Sequence, residues 1–207
     1  MRCWARPIKT FAGRLFLLLA VTLLVTLPAR MAQASDLAAR DPQLVATDDG
    51  YALNAEFSIN FNARLEEAVS KGIVLYFVTD FELTRSRWYW LDEKVVQRSR
   101  TLQLSYHALT RQYRLSTGTL HQSFATLGEA LRVLSRLRDW PVLDKGEVRN
   151  GQAYLAGVRM RLDLSQMPRT FQIGALANKD WRLTSEWANW TFTPSESGPP
   201  ADPGEGK

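Results

Sequence analysis

The chain has 207 residues, with 26 Lys and Arg against 21 Asp and Glu, and a single cysteine. Five of the basic residues (Arg2, Arg6, Lys9, Arg14, Arg30) and none of the acidic ones fall in the first 34 positions, so the remaining chain is 21 against 21 and formally neutral. The basic balance is therefore no evidence for nucleic-acid binding. With Cys3 confined to the same leading segment, the rest of the chain has no disulfide, no Cys nucleophile and no thiolate metal site.

The leading segment reads as a cleavable export signal. Its basic start is followed by an apolar run from Leu15 to Leu27, a break at Pro28, and a small-x-small pattern at Ala32-Gln33-Ala34. The run is shorter than the roughly 20 apolar residues of a spanning helix. The expectation is cleavage after Ala34, a periplasmic location and no stable transmembrane anchor afterwards. Roughly 170 residues remain, enough for one domain with a core. That domain is expected over 40–193, followed by a disordered tail at 194–207 rich in Pro, Gly and acids.

Taken in order, Pro42 to Thr47 reads as a short strand, and Asp48-Asp49-Gly50 as a hairpin turn. Tyr51 to Phe61 alternates strictly, with Tyr51, Leu53, Ala55, Phe57, Ile59 and Phe61 on one face. Asn62 caps a helix over 63–71, whose apolar stripe is Leu65, Ala68 and Val69 and which Gly72 closes. Ile73 to Trp90 is the longest apolar, β-branched and aromatic run after the signal, and predicts the central strand of a sheet. Asp80 and Glu82 lie within it, which a buried strand tolerates only when they are paired or near an edge. Lys94 to Tyr106 predicts another strand, with Val96, Arg98 and Arg100 on one face. Gln112 to Ser116 and Leu120 to Phe124 flank Thr117-Gly118-Thr119 as a hairpin. Thr126 and Glu129 form a capping box, and Leu127, Ala130, Leu131, Leu134 and Leu137 predict a helix running to Asp139-Trp140, before Pro141. Tyr154 to Leu164 alternates again. Phe171 to Ala177 fits either a strand or a helical turn, and Trp181 to Phe192 predicts the last strand. Short turns between consecutive strands, without βαβ alternation, predict a mainly β single domain: an antiparallel β-sandwich or twisted sheet with one or two packed helices.

The chemistry-bearing patterns are sparse. His107 and His121 show no metal spacing, and no serine sits in a GxSxG or SxxK motif. No catalytic, cofactor-binding or metal-ligating residue is assigned, and no cofactor is expected. Two features remain. Arg85, Arg87, Trp88 and Trp90, with Tyr89 among them, and Arg111, Tyr113 and Arg114 mix arginine with aromatic side chains. That mixture is typical of interface hot spots and equally of cation–π packing within a domain. The pairs Asp80/Glu82 and Asp92/Glu93 near tryptophans would suit binding of a carbohydrate or envelope polymer, or glycoside hydrolysis; the neighbouring Arg85, Arg87, Lys94 and Arg98 offer the simpler alternative of ion pairing.

Three long phrases carry a family resemblance: LYFVTDFELTRSRWYWLDEKV (75–95), LSYHALTRQYRLSTGTLHQSFATLGEALRVLSRLRDWPV (104–142) and ALANKDWRLTSEWANWTF (175–192). With them the chain resembles the DUF4390 family of proteobacterial secreted proteins of unknown function, across nearly all of the chain after the signal. The resemblance brings no catalytic residue. It implies an envelope protein that modulates a membrane sensor histidine kinase, beside whose gene such genes tend to lie. The expectation is thus a non-enzymatic periplasmic interaction module presenting Arg85, Arg87, Trp88 and Trp90, with Arg111 and Arg114, to a protein partner; the alternative is a protein that binds carbohydrate.

Overall fold

The computed structural model describes residues 37–85, 93–169, 172 and 179–195. Two antiparallel sheets and two short helices make the domain, and every element belongs to one unit, Ser35–Lys207. The first hairpin joins β1 (Leu37–Thr47) to β2 (Gly50–Ile59), with β1 bulged between Arg40 and Gln43, where Asp41 has a positive φ. The expected alternation holds along β2, since Leu53, Ala55 and Phe57 are buried. Helix α1 (Ala63–Ser70) starts where Asn62 Oδ1 accepts the Leu65 N–H at 3.0 Å, and buries Leu65, Ala68 and Val69. These are the residues of the predicted stripe.

The long apolar run becomes β3 (Leu75–Arg85), and it is central. It is flanked by β4 (Glu93–His107) and β8 (Tyr154–Leu162) in a six-stranded sheet of order β6-β5-β4-β3-β8-β9. The other members are β5 (Gln112–Thr117), β6 (Leu120–Phe124) and β9 (Ala188–Phe192). One face of β3, with Leu75, Phe77, Thr79, Phe81 and Leu83, is fully buried. It shares its core with the three-stranded sheet β1-β2-β7 and with the helices. The predicted mainly β class is what the structure has.

Three expectations are corrected. Helix α2 (Leu127–Leu134) has the predicted capping box, Thr126 Oγ1 accepting from Glu129 N and Glu129 Oε2 accepting from Thr126 N, both at 3.3 Å. It ends at Ser135, however, and Arg136–Asp144 is a strand, β7. Leu137 fits helical spacing, but Trp140, Val142 and Leu143 are buried with it against β2. Register shifts within that pairing, and a positive φ at Asp139, bring Leu137 and Trp140 to the same core. Pro141 is tolerated because β7 is an edge strand. The last predicted strand is shorter than expected: after a 3₁₀ turn at Lys179–Trp181 and a lone bridge from Thr184 to Arg161, β9 begins only at Ala188. Finally, Pro194 is buried and its carbonyl accepts the Gly151 N–H at 2.9 Å, so the described domain runs past 193. Most of the ambiguous 171–177 stretch, and the positions from 196 onward, lie outside the described residues.

Candidate interaction face

The second face of β3 carries polar residues, and the register decides which meet. Asp80 stands opposite Ser99 on β4 and Arg159 on β8; Val78 stands opposite Arg161. Asp80 is only 5% exposed. Its Oδ1 accepts from Ser99 Oγ at 2.8 Å, and its Oδ2 accepts from Arg159 Nε at 3.1 Å and Arg161 Nε at 3.2 Å. A carboxylate so far from water would be costly unpaired; here both oxygens are occupied. It is a structural hub, committed to its partners rather than poised for general-base work.

The guanidinium of Arg159 also lies 4.6 Å over the Trp187 ring. Trp187 comes after a short return along β8, in which Leu162 N donates to Leu183 O, Ser185 N donates to Met160 O, and Ser185 Oγ accepts from Met160 N. The indole can cross the sheet because position 157 is glycine: a Cβ there would stand 2.5 Å from Asn189 Oδ1 and 3.2 Å from the Trp187 ring. Further along, Lys94 pairs with Glu82 at 2.9 Å and Arg85 with Glu93. Below the cluster, Asp163 caps a 3₁₀ turn at Leu164–Gln166. Burial alone would raise its pKa, but hydrogen bonds from the Ser165 side chain, the Gln166 side chain and the Ser165 N–H, with the nearby Arg161 charge, hold it below the usual carboxylate value.

Of the sequence-predicted residues that the structure describes, Arg85 lies apart from Arg111 and Arg114. Arg85 is at the C-terminal end of β3, in its pair with Glu93. Arg87, Trp88 and Trp90, like Asp92, lie outside the described residues. Arg111 is exposed in the β4–β5 turn with a positive φ, and Arg114 on β5 pairs in register with Ser105. Since Leu104 stands opposite Leu75, those two arginines are at the N-terminal end of β3, roughly 35 Å of strand from Arg85. His107 Nδ1 is 3.1 Å from Thr110 Oγ1 in the same turn, and His121 is exposed on β6. Sequence reasoning passed over Arg159, Arg161 and Trp187. The available signal was the alternation of Arg159, Arg161 and Asp163 on the polar side of β8.

Trp140 is buried, Trp181 and Trp190 pack against the core, and Trp187 is against Arg159. No indole among the described residues is fully exposed as a sugar platform. Among the described residues no three His, Cys, Asp or Glu side chains group as metal ligands, and no helix is long and apolar enough to cross a membrane.

The model of a family described as a domain of unknown function, DUF4390, matches residues 34–191. The chain belongs to the DUF4390 family. The family match runs from ahead of β1 into β9, so the two-sheet domain is the DUF4390 unit itself. Compared with the curated proteins and with the solved structures, the chain has no significant match.

Proposed function

We propose that this DUF4390 domain is a non-enzymatic interaction module of the periplasm, holding a protein partner against the polar face of its six-stranded sheet. The observation that carries the reading is the Asp80–Arg159–Arg161–Trp187 cluster. Each arginine is anchored to Asp80 through Nε and remains about a third exposed, 34% and 35% by side chain. The Nη groups of Arg159 have no other hydrogen-bond partner among the described residues. Guanidinium donors already fixed in place lose little side-chain entropy on binding, which is how preorganised arginines become hot spots. Lys94, paired with Glu82 on the even-numbered face of β3, extends the same rim toward the 86–92 segment. Glu82 keeps its charge mixed, which suits a protein surface better than a polyanion. The partner class that the family resemblance suggests is the external part of a sensor histidine kinase.

The test is site-specific photocrosslinking in cells. A crosslinker at Leu155, which is 44% exposed and on this face, should capture one envelope protein. One at Leu109, 93% exposed in the β4–β5 turn, should not. Trp187→Ala should weaken the capture with an unchanged circular dichroism spectrum. Equal capture from both positions, or none from Leu155, would overturn the reading.

A further inference from the structure

On the opposite side of the six-stranded sheet is a cavity of about 230 Å³, bounded by β4, β5, β6, α2 and the start of β7. Its wall is mixed: Leu102, Leu115, Leu134, Leu137 and Met160 form an apolar part, and Thr117, His121 and Gln122 a polar part. Two arginines line it as well, and no carboxylate does. Arg136 at its rim is held 3.5 Å from Glu56. Arg100 is different. It is half-buried, and its side chain makes no ion pair or hydrogen bond among the described residues. Arg98, two residues earlier on the same face, has Glu147 at 2.8 Å and Asp144 at 3.7 Å. Beside Arg100 in the cross-strand row Arg100–Thr79–Met160 is a second unmet need: Thr79 is fully buried, and its Oγ1 has no hydrogen-bond partner.

A cation without a counter-ion and an unsatisfied hydroxyl, side by side on the core side of a sheet, are each destabilising. We infer that the cavity is a binding site for a small amphiphilic carboxylate, with its head on Arg100 and Thr79 and a short acyl or aryl tail among the leucines. The guanidinium fork matches a carboxylate in two parallel hydrogen bonds, and the Thr79 hydroxyl supplies a further donor. The apolar part of the wall calls for a tail; inorganic phosphate would leave it uncovered. Size agrees, since a dry protein cavity of about 150 Å³ already holds benzene. The mouth is flanked by Leu120, 77% exposed, and Val133, 41% exposed, which give a longer tail an apolar way out.

Sodium octanoate is the probe, and the Met160 methyl resonance, from the cavity wall, is the readout. Octanoate should shift it saturably, while octylamine and inorganic phosphate should not. Arg100→Gln should weaken binding by about tenfold or more, the loss of a charge-assisted contact, and Arg100→Lys should recover part of it. Leu120→Glu places a negative charge at the exposed lip without touching the core and should also weaken binding, so the inference stays testable even if the Arg100 variants unfold. A Met160 signal indifferent to millimolar octanoate overturns it. So does an equal response to octylamine, or folded Arg100→Gln and Leu120→Glu proteins that bind octanoate as the parent does.

Discussion

At Gly157 a single missing methyl group lets an indole lie across the sheet. Gly157→Ala would push the Asn189 side chain and the Trp187 ring aside, costing about 1–3 kcal/mol and changing the Trp187 environment. A fall in the urea midpoint together with a shifted emission spectrum checks this. Gly50 is under a harder constraint. Its φ is +153° and an added Cβ would stand 2.0 Å from the Leu143 carbonyl oxygen, a backbone atom of the paired strand. Gly50→Ala should therefore cost at least as much as Gly157→Ala, and a smaller loss of stability would show that the β2–β7 pairing can shift to make room. Asp80→Ala would leave Arg159 and Arg161 facing each other without their shared anion. Removing one side of a buried pair costs about 3–5 kcal/mol; the partial exposure of these arginines places the expected loss nearer about 2–3 kcal/mol. If changing both arginines to Gln in the Asp80→Ala background fails to restore part of that loss, the stranded charges are not its cause. At Asp163 the sign is set by a lowered pKa in the fold. The unfolded chain binds the proton first, so the contribution is complete above the ordinary value of 3.8 and is lost as pH falls through the lower folded value. Urea midpoints measured below about pH 4 should fall more steeply for the parent than for Asp163→Asn, and parallel curves would sink the claim.

The helices were legible at the scale of elements because their signals are local. The Asn62 cap and the Thr126–Glu129 box involve residues three positions apart, and a fold need only leave them in place. Thr126→Ala should destabilise by about 1 kcal/mol, with faster amide exchange confined to α2; uniform exchange across the domain would mean that the cap supports more than its own helix. Residues 135–144 were not legible. Leu137 continues the helical spacing of Leu134, and nothing nearby in sequence announces that Phe57 N donates to Ser135 O or that β2 pairs with Arg136–Asp144. Tertiary pairing overrode periodicity there. The same holds for 181–187, where the alternation of Trp181, Leu183, Ser185 and Trp187 is real, but Leu183 and Ser185 return along β8 while Trp187 turns over Gly157. Alternation groups Val96, Arg98 and Arg100 on one face of β4, and only the pairing with Leu83, Phe81 and Thr79 turns that face toward the core. Whether those arginines have counter-ions was not readable, because Asp144, the last residue of β7, and Glu147, in the turn after it, are more than 40 positions away.

For the molecule as a whole, local patterns in the chain were enough for the mainly antiparallel β class, β3 as the central strand, both helix starts and most of the core. Each of these rests on signals within one element: period-two alternation, capping residues and turn residues, which act over a few positions. Family membership was legible for a related reason, since long phrases survive as linear strings. Which polar residues form sites depended instead on the folded arrangement. Folding brought Asp80 to Arg159 and Arg161, 79 and 81 positions away. It set Arg111 and Arg114 at the far end of the sheet from Arg85, and it left the side chains of Arg100 and Thr79 without a polar partner among the described residues, beside a cavity partly walled by leucines. Cross-strand register makes these choices, and register is a property of pairing between distant segments, specified by how their buried faces fit.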